Sequence, residues 1–434
     1  LTDEVFNYIF LRHDYPASCG IPEERLQQMR EEFEYWYPMD LRVSAKDLIP
    51  NHLTMCLYNH AEIWKDRPEL WPKSIYCNGH IMVDAEKMSK GKGNFLMMLE
   101  SVEEFSADAT RFALADAGDT MEDANFDRSV ANQAIISLFI EEEWIKSVTA
   151  ERKNGTLRSG EMMFMDSAFM NEIDYLIETT ARKFEEMCYR DGIHQCWFEA
   201  MLVRDLYRDW SNRCAIPMHE AVLTRFIESV AVMMAPICPH WSENIWTEIL
   251  EKQESVCDAS WPAFSPCDPL MRKRYSFFKD FLKNARQAIL KLKQPTKQAE
   301  VYLASTYEAN KIVVLDFLQS QLLPTGRFPE DILAKLKEFL SSREDLKRET
   351  KTLMQFGSFM KSEAEVCGPD ILATELSFDQ KAILEENVPF ILKTLELEGI
   401  QFHNVHQADA LPANADKKKV DTALPGKPTL QFSR

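Results

Sequence analysis

The stretch DAEKMSKGKGNF, Asp84 to Phe95, places Lys87 and Lys90 three residues apart on a segment that also carries Gly91 and Gly93. Two ammonium groups at that spacing, on a loop that glycine allows to bend, can close on one polyanion. The chemistry they would serve is departure of a pyrophosphate. Negative charge gathers on that leaving group, and cations aimed at it stabilise the transition state more than the substrate. One such group is worth roughly 3 kcal/mol of barrier, by analogy with a single oxyanion donor. Lysines in an exposed loop can equally be solvated side chains, and the spacing by itself does not choose.

A second concentration of cations lies at RKRYSFFKDFLKNARQAILKLKQPTK. Here nine lysines and arginines, among them Arg272, Lys273, Arg274, Lys283, Arg286, Lys291, Lys293 and Lys297, face a single acid, Asp280. Tyr275, Phe277, Phe278 and Phe281 are interleaved with them. Two readings fit. One is a helix with a solvated basic face and a packed aromatic face; the other is a surface that tracks an RNA backbone. The net charge of −19 argues against nucleic acid in general, but a local stripe outweighs the sum for a phosphate ligand.

The elements that must position these groups come from periodicity. MDLRVS alternates Met39, Leu41 and Val43 with polar neighbours and predicts a strand. Leu53, Cys56, Leu57, His60, Ala61 and Trp64 then recur at helical spacing, with Pro50 suited to the first turn. SIYCNGHIMV predicts a strand leading into the lysine loop, and Ser101 with Glu104 predicts a capping box for a helix through about Ala115. The lysine loop thus falls between strand and helix, where α/β proteins place ligand chemistry.

Farther on, Phe169, Ile173, Leu176, Ile177, Thr180, Phe184, Met187 and Cys188 trace one helical face. Leu223, Phe226, Ile227 and Val230 begin a second, and Trp241, Ile245 and Ile249 a third, after the break at APICPHW. Successive amphipathic helices with short connections predict a bundle. The last region holds the basic helix, strand-like EVYLAS and KIVVLDFL, a charged helix at SSREDLKRETK, and ADKKKVDTALPGKPTLQF as a loop or edge element. The expected fold class is α/β, then all-α, then α+β, with boundaries at 1–120, 121–265 and 266–434.

Composition sets the frame. At 434 residues two or three domains are expected, and 45% hydrophobic with 27% charged residues excludes general disorder. The longest apolar stretch, around Val230 to Cys238, is far below the roughly 18 to 20 residues of a membrane span. LTDEVFNYIF is no secretory signal. Ten cysteines with no C-x-x-C pair point to a reducing cytosol rather than a disulfide scaffold. His403 and His406 lack a third ligand, and Cys257 and Cys267 a second pair, so no protein-bound metal is expected.

KMSK followed by GN resembles the KMSKS signature of class I aminoacyl-tRNA synthetases. The resemblance implies that Lys87 and Lys90 contact ATP phosphates during amino-acid activation while Met88 and Ser89 shape the loop. Gly91 stands where the family usually has serine. DLRVSAKDLIPNHL resembles the family's strand-to-helix segment that binds the adenosine ribose. The matching acid is Asp47, with Asn51 and His52 at the start of the following helix, and Ala45 replaces a usual glycine. A carboxylate accepts two vicinal hydroxyls, and a helix amino terminus favours phosphate; Asp47 as a plain helix cap and His52 as a packing residue are the alternatives.

The wider text, in WYPMDLRVSAKDLIPNHLTMCLYNHAEIW, EKMSKGKGNFLMMLESVEEFSADATRFALADAGDTMEDANF, MMAPICPHWSENIW and LELEGIQFHNV, resembles the leucyl-tRNA synthetases of eukaryotic cytosolic type. That implies the second half of a Rossmann-type catalytic domain, an anticodon-binding-type bundle and a C-terminal tRNA-contacting domain. It implies ATP with Mg²⁺, leucine and tRNA(Leu) as substrates, other synthetases as partners in a complex, and a cytoplasmic setting. No H-I-G-H segment and no editing insertion is found, and the chain starts at Leu1. The expectation is a carboxy-terminal portion, inactive alone. A synthetase for isoleucine, valine or methionine, and a non-catalytic RNA-binding or scaffolding relative, are the rival readings.

Overall fold

A computed structural model of the protein describes residues 1–88, 91, 93–292, 296–323, 327–406 and 411–433. The chain is largely helical and divides into two compact units. The first comprises residues 1–151, 176–200 and 227–263; the second comprises 152–175, 201–226 and 264–434. Helices Phe164–Glu185 and Glu220–Met234 contribute turns to both.

In the first unit, β1 (Arg42–Ala45) runs parallel to β2 (Ile75–Asn78), with Arg42 opposite Ile75 and Ala45 opposite Asn78. A second small sheet joins β3 (Ile81–Val83), β4 (Glu86–Lys87) and β5 (Ala124–Phe126) in the order β4-β3-β5. The run SIYCNGHIMV is therefore two strands in two sheets rather than one. Gly79 makes the break: a Cβ there would lie 2.0 Å from the Glu122 carbonyl oxygen, so only glycine lets the backbones pass. The expected capping box also moves. Helix Met98–Phe105 starts before Ser101, with the Glu100 carboxylate accepting the Met97 N–H at 3.0 Å. Ser101 is buried and shares a 2.9 Å hydrogen bond with Thr110, while Ser106, at φ 74°, ends this helix and caps the next, Ala107–Ala117.

Bundle helices bury the faces read from the sequence. Phe169, Ile173, Leu176, Ile177 and Thr180 are buried, whereas Met187 and Cys188 lie past the helix end at Glu185. In the first unit, Trp197 and Trp241 meet edge to face at 5.3 Å, and their indoles donate to Ser137 Oγ and the Leu138 carbonyl. Buried indoles with satisfied N–H groups fix one packing arrangement.

The second unit is organised by β6 (Gln298–Leu303), which pairs parallel with β7 (Gly399–Asn404) and antiparallel with β8 (Thr429–Ser433). EVYLAS thus forms a central strand, and the segment read as a loop or edge supplies a short helix, Lys417–Thr422, and the edge strand β8. KIVVLDFL is not a strand. It lies in helix Ala309–Ser320, because Val314, Leu315 and Leu318 enter the core at helical spacing. SSREDLKRETK is not one helix either: Ile332–Ser342 ends within it, Leu346 is buried in the turn, and Thr350–Cys367 follows.

The second unit also holds a fully enclosed carboxylate. Asp166, in the first turn of Phe164–Glu185, accepts the Met163 N–H at 2.7 Å, the Tyr207 hydroxyl at 2.5 Å and the Arg158 guanidinium at 2.5 Å. The Tyr207 oxygen in turn accepts the His219 N–H at 2.8 Å. Burial, with the Asp166 carboxylate beside it, pushes the Tyr207 phenol far above its ordinary value and keeps it a donor.

Candidate functional site

The parallel strands β1 and β2 both end at the same edge, and the expected site residues follow those ends. After β1 the chain turns through Lys46–Leu48 and Ile49–Leu53 into helix Thr54–Ile63, with Pro50 in the first turn where its missing N–H costs nothing. Asp47 sits in the first of those turns with its side chain 59% exposed. Crevices beyond the carboxyl ends of parallel strands are where open α/β sheets take ligands. Asn51 donates its amide to the Asp47 carbonyl at 3.4 Å and accepts the His52 N–H. His52 turns back to β1, its Nε2 2.7 Å from the Arg42 guanidinium. Arginine has only donors, so in this contact the ring nitrogen is the acceptor.

After β2 the chain passes Gly79 and presents His80. Its Nε2 is 3.8 Å from Asp47 Oδ1 and its Nδ1 3.4 Å from Asp123 Oδ1. The His80 N–H also donates to Asp123 at 2.9 Å, and the Lys46 ammonium reaches the same oxygen at 2.6 Å. The hydrogen bond from Lys46, then that from the His80 N–H, holds the Asp123 carboxyl down at about 2. His80 thus stands between two carboxylates and links β1, β2 and the segment before β5. Neither His80 nor Asp123 was picked out by the sequence reading. The local signal was Gly79 alone: a glycine inside a strand pattern marks a bulge or close backbone approach, which points to the backbone contact and not to His80 or its carboxylates.

His80 leads directly into β3, and β3 carries the lysine loop. Met82 lies opposite Lys87 and Val83 opposite Glu86, joined by a two-residue turn in which Asp84 and Ala85 have φ of 50° and 64°. Such left-handed pairs match the twist of a hairpin. The turn is anchored: Ala85 N–H donates to Asn125 Oδ1 at 2.6 Å, and Arg128 pairs with Asp84 at 3.3 Å while gripping both oxygens of Glu104 at 2.9 and 2.8 Å. Lys87 and Met88 are exposed. Asn94 donates to the Lys87 carbonyl at 3.1 Å, closing the base of the loop. Ser89 and Lys90 lie outside the described residues. The structure therefore brings Asp47, Asn51, His52 and His80 together, and connects them to Lys87 through one strand.

The basic residues of the second unit separate into different environments. Arg272 pairs with the nearly buried Glu172 at 3.1 Å and lies 3.3 Å from the Tyr175 ring centroid. Arg274 packs over Phe164 at 5.5 Å. Lys297 forms an ion pair with Glu398 where β6 begins. Lys273, Lys283, Arg286 and Lys291 are exposed, and Lys293 lies outside the described residues. Tyr275, Phe277, Phe278 and Phe281 are all buried, so none offers a ring to a nucleobase. His403 pairs with Glu300 at 2.5 Å and His406 with the Thr306 carbonyl at 2.9 Å, which accounts for the H-x-x-H spacing.

Comparison with known proteins places the chain. Residues 13–141 match the family model for class I tRNA synthetases (M), and residues 166–303 match that for the anticodon-binding domain of tRNA ligases. The proteins "Leucine--tRNA ligase, cytoplasmic" of Pongo abelii and Saccharomyces cerevisiae are each 36% identical across the whole chain, which covers 37% and 41% of their lengths. The Arabidopsis thaliana protein of the same name is 34% identical, again over the whole chain and 41% of its length. The class is therefore that of the class I aminoacyl-tRNA synthetases. Within it, the chain belongs to the leucine–tRNA ligase family and spans about two fifths of the length of these relatives. A solved Agrobacterium radiobacter LeuRS in complex with tRNA and LeuAMS superposes at a TM-score of 0.45 with 17% identity over 61% of this chain and 31% of that one. Among the described residues no helix is long and apolar enough to cross a membrane.

Proposed function

We propose that these residues belong to a leucine–tRNA ligase that activates leucine with ATP and Mg²⁺ to leucyl-adenylate and transfers leucine to tRNA(Leu). Asp47 grips the ribose hydroxyls. Lys87 and Lys90 close on the phosphates, with Met88 and Ser89 shaping the loop and Asn51 and His52 forming the floor beneath the nucleotide. His80 is a positioning residue that sets the Asp47 carboxylate. The order of domains is the one expected above: a catalytic half over 1–120, the bundle over 121–265 and a tRNA-contacting domain over 266–434. Other synthetases are proposed partners, and the cytoplasm the compartment, as the relatives' names have it.

The observation that carries this reading is the path Asp47, His80, β3, Lys87: His80, 3.8 Å from Asp47, leads into β3, and Lys87 lies opposite Met82 on the edge strand β4. Cations brought to that edge act on charge that develops only as pyrophosphate leaves, which is where they lower a barrier. The test is leucine-dependent ATP–pyrophosphate exchange by a protein of the relatives' length that carries these residues. Exchange with leucine, and not with isoleucine, valine or methionine, is expected to fall about a hundredfold in Lys87→Ala. Exchange indifferent to Lys87 and Asp47 would sink the assignment. The 434-residue chain alone is expected to show none, since it contains no H-I-G-H segment.

A further inference from the structure

Arg128 opens helix Arg128–Lys153, and its side chain reaches both flanks of the lysine loop. Asp84 lies before the lysines and Glu104 after them. The guanidinium takes both Glu104 oxygens, at 2.9 and 2.8 Å, and its Nε stands 3.3 Å from Asp84 Oδ2. The Arg128 N–H has no carbonyl to meet inside its own helix at this first position. It donates instead to the other Asp84 oxygen at 3.3 Å. One residue thus holds two carboxylates that the chain separates by the whole loop. A planar fork of five donors suits that task, whereas a single ammonium is a point charge.

The turn that Arg128 holds is strained. Asp84 and Ala85 have φ of 50° and 64°, and alanine there carries a steric cost that glycine avoids. Residues in that region persist where the surroundings over-determine them, and they gather at functional sites. Both N–H groups of this turn are engaged from β5: Asp84 donates to the Phe126 carbonyl at 3.1 Å, and Ala85 to Asn125 Oδ1 at 2.6 Å. Arg128 supplies the grip on the side chain. On the other flank, Phe105 is buried edge to face against Phe126 at 5.7 Å, and the guanidinium lies 5.9 Å from the Phe105 centroid. Asp127, next to Arg128 in sequence, is taken by Ser129, whose N–H and hydroxyl donate to it at 2.7 and 2.6 Å.

Exposed ion pairs contribute little to stability, so this joint does little for folding. It is well placed to aim a side chain. Lys87 follows the turn on β4, its backbone opposite Met82 and its carbonyl accepting the Asn94 amide at 3.1 Å. A rotation of the turn about β3 swings Lys87 with it. A shift of about 1 Å in a group aimed at developing charge is enough to cost up to a hundredfold in rate. We infer that Arg128 is a positioning residue for activation: by joining Asp84 to Glu104 it fixes the direction in which Lys87 meets the phosphates. This rests on the reading above, in which Lys87 contacts ATP, and it adds a residue that lies outside both motifs and acts only through that lysine.

The experiment is leucine-dependent ATP–pyrophosphate exchange by a protein of the relatives' length that carries these residues, with Arg128→Gln alone, Lys87→Ala alone and the two together. Lys146→Gln is the control. It removes a cation of the same helix that is likewise shared by two acids, Glu142 and Glu143, at 2.7 and 2.8 Å. R128Q is expected to lower kcat about tenfold. The KM for leucine stays unchanged, and the melting temperature moves by less than about 2 °C. The control alters none of the three. In the K87A background R128Q is expected to cost nothing further, because the group it positions is gone. Activity returns in D84N/E104K/R128E, which rebuilds the joint with charges exchanged: asparagine tolerates a positive φ, and an acid suits the helix amino terminus. If that variant melts early, the K87A comparison decides. An unchanged kcat in R128Q, a tenfold loss added to that of K87A, a drop in melting temperature that accounts for the lost rate, or no recovery in a folded exchanged variant would overturn the inference. A K87A defect without an R128Q defect removes this inference alone, whereas exchange indifferent to Lys87 removes the reading beneath it as well.

Discussion

Asp166 and Asp47 are both carboxylates in the first turn of a helical segment, and their surroundings are opposite. Asp166 is enclosed, with Met163, Tyr207 and Arg158 all donating to it. Asp47 is 59% exposed and has an imidazole 3.8 Å away. A buried carboxylate with its lone pairs filled specifies packing, and has nothing left for a ligand. An exposed one, steered by a neighbour, keeps acceptor capacity for an incoming group. The basic residues repeat the contrast: Arg272 is consumed by Glu172 and Tyr175, whereas Lys283 and Arg286 face an open groove. The same residue types occur in both settings, and degree of satisfaction separates them.

The largest effect that would test this contrast is at Asp166. Asp166→Ala leaves the Tyr207 phenol without its acceptor and the Arg158 guanidinium with only the Pro217 and Glu161 carbonyls, and is expected to cost about 3 to 5 kcal/mol in denaturant unfolding. Asp47→Ala should stay within about 0.5 kcal/mol, as for a surface position. Equal losses would erase the distinction. Next comes Lys87→Ala, expected to raise the activation barrier by roughly 3 kcal/mol while leaving the melting temperature unchanged; a lowered melting temperature would make Lys87 structural instead. Gly79→Ala lies between the two classes. Its Cβ would meet the Glu122 carbonyl, so a loss of about 1 to 3 kcal/mol is expected, together with loss of exchange as His80 moves from Asp47. Unaltered exchange would show that His80 does not position the acid.

The smallest effect is electrostatic. Lys46, then the His80 N–H, depresses the Asp123 pKa to about 2, against roughly 3.9 in an unfolded chain. A depressed carboxyl stabilises the fold fully above the unfolded value and loses that contribution as pH falls through the folded one. The melting-temperature gap between wild type and Asp123→Asn should therefore hold steady above pH ~4 and close between ~4 and ~2. Added salt should shrink it, because the pair is exposed. A gap that persists at pH ~2 would mean that the amide disturbs packing rather than charge.

Much of the helical part was legible in the residues. The face from Phe169 to Thr180 is buried as its spacing requires, and EVYLAS pairs at the centre of the second unit's sheet. KIVVLDFL misled because a run rich in isoleucine and valine reads as a strand, while burial of Val314, Leu315 and Leu318 imposes a helix. Ser101 and Glu104 imitate a capping box, and the true start lies upstream at Met97 and Glu100. In the candidate site, Asp47 and Lys87 were legible and His80 was not. A lone histidine in a strand pattern carries no local signal of the two carboxylates that reach it from residues 33 and 43 positions away.

By itself the sequence determined the elements whose cause is local: helical faces from periodicity, the glycine-flanked lysine loop, and the charge stripe from Arg272 to Lys297. Tertiary structure alone decided which of those charges are paired and which are open. It put Glu172 against Arg272, turned Tyr275 and its neighbours inward, and set His80 between Asp47 and Asp123. The physical reason is that periodicity is a property of neighbours along the chain, whereas desolvation and pairing depend on groups the fold brings from far away.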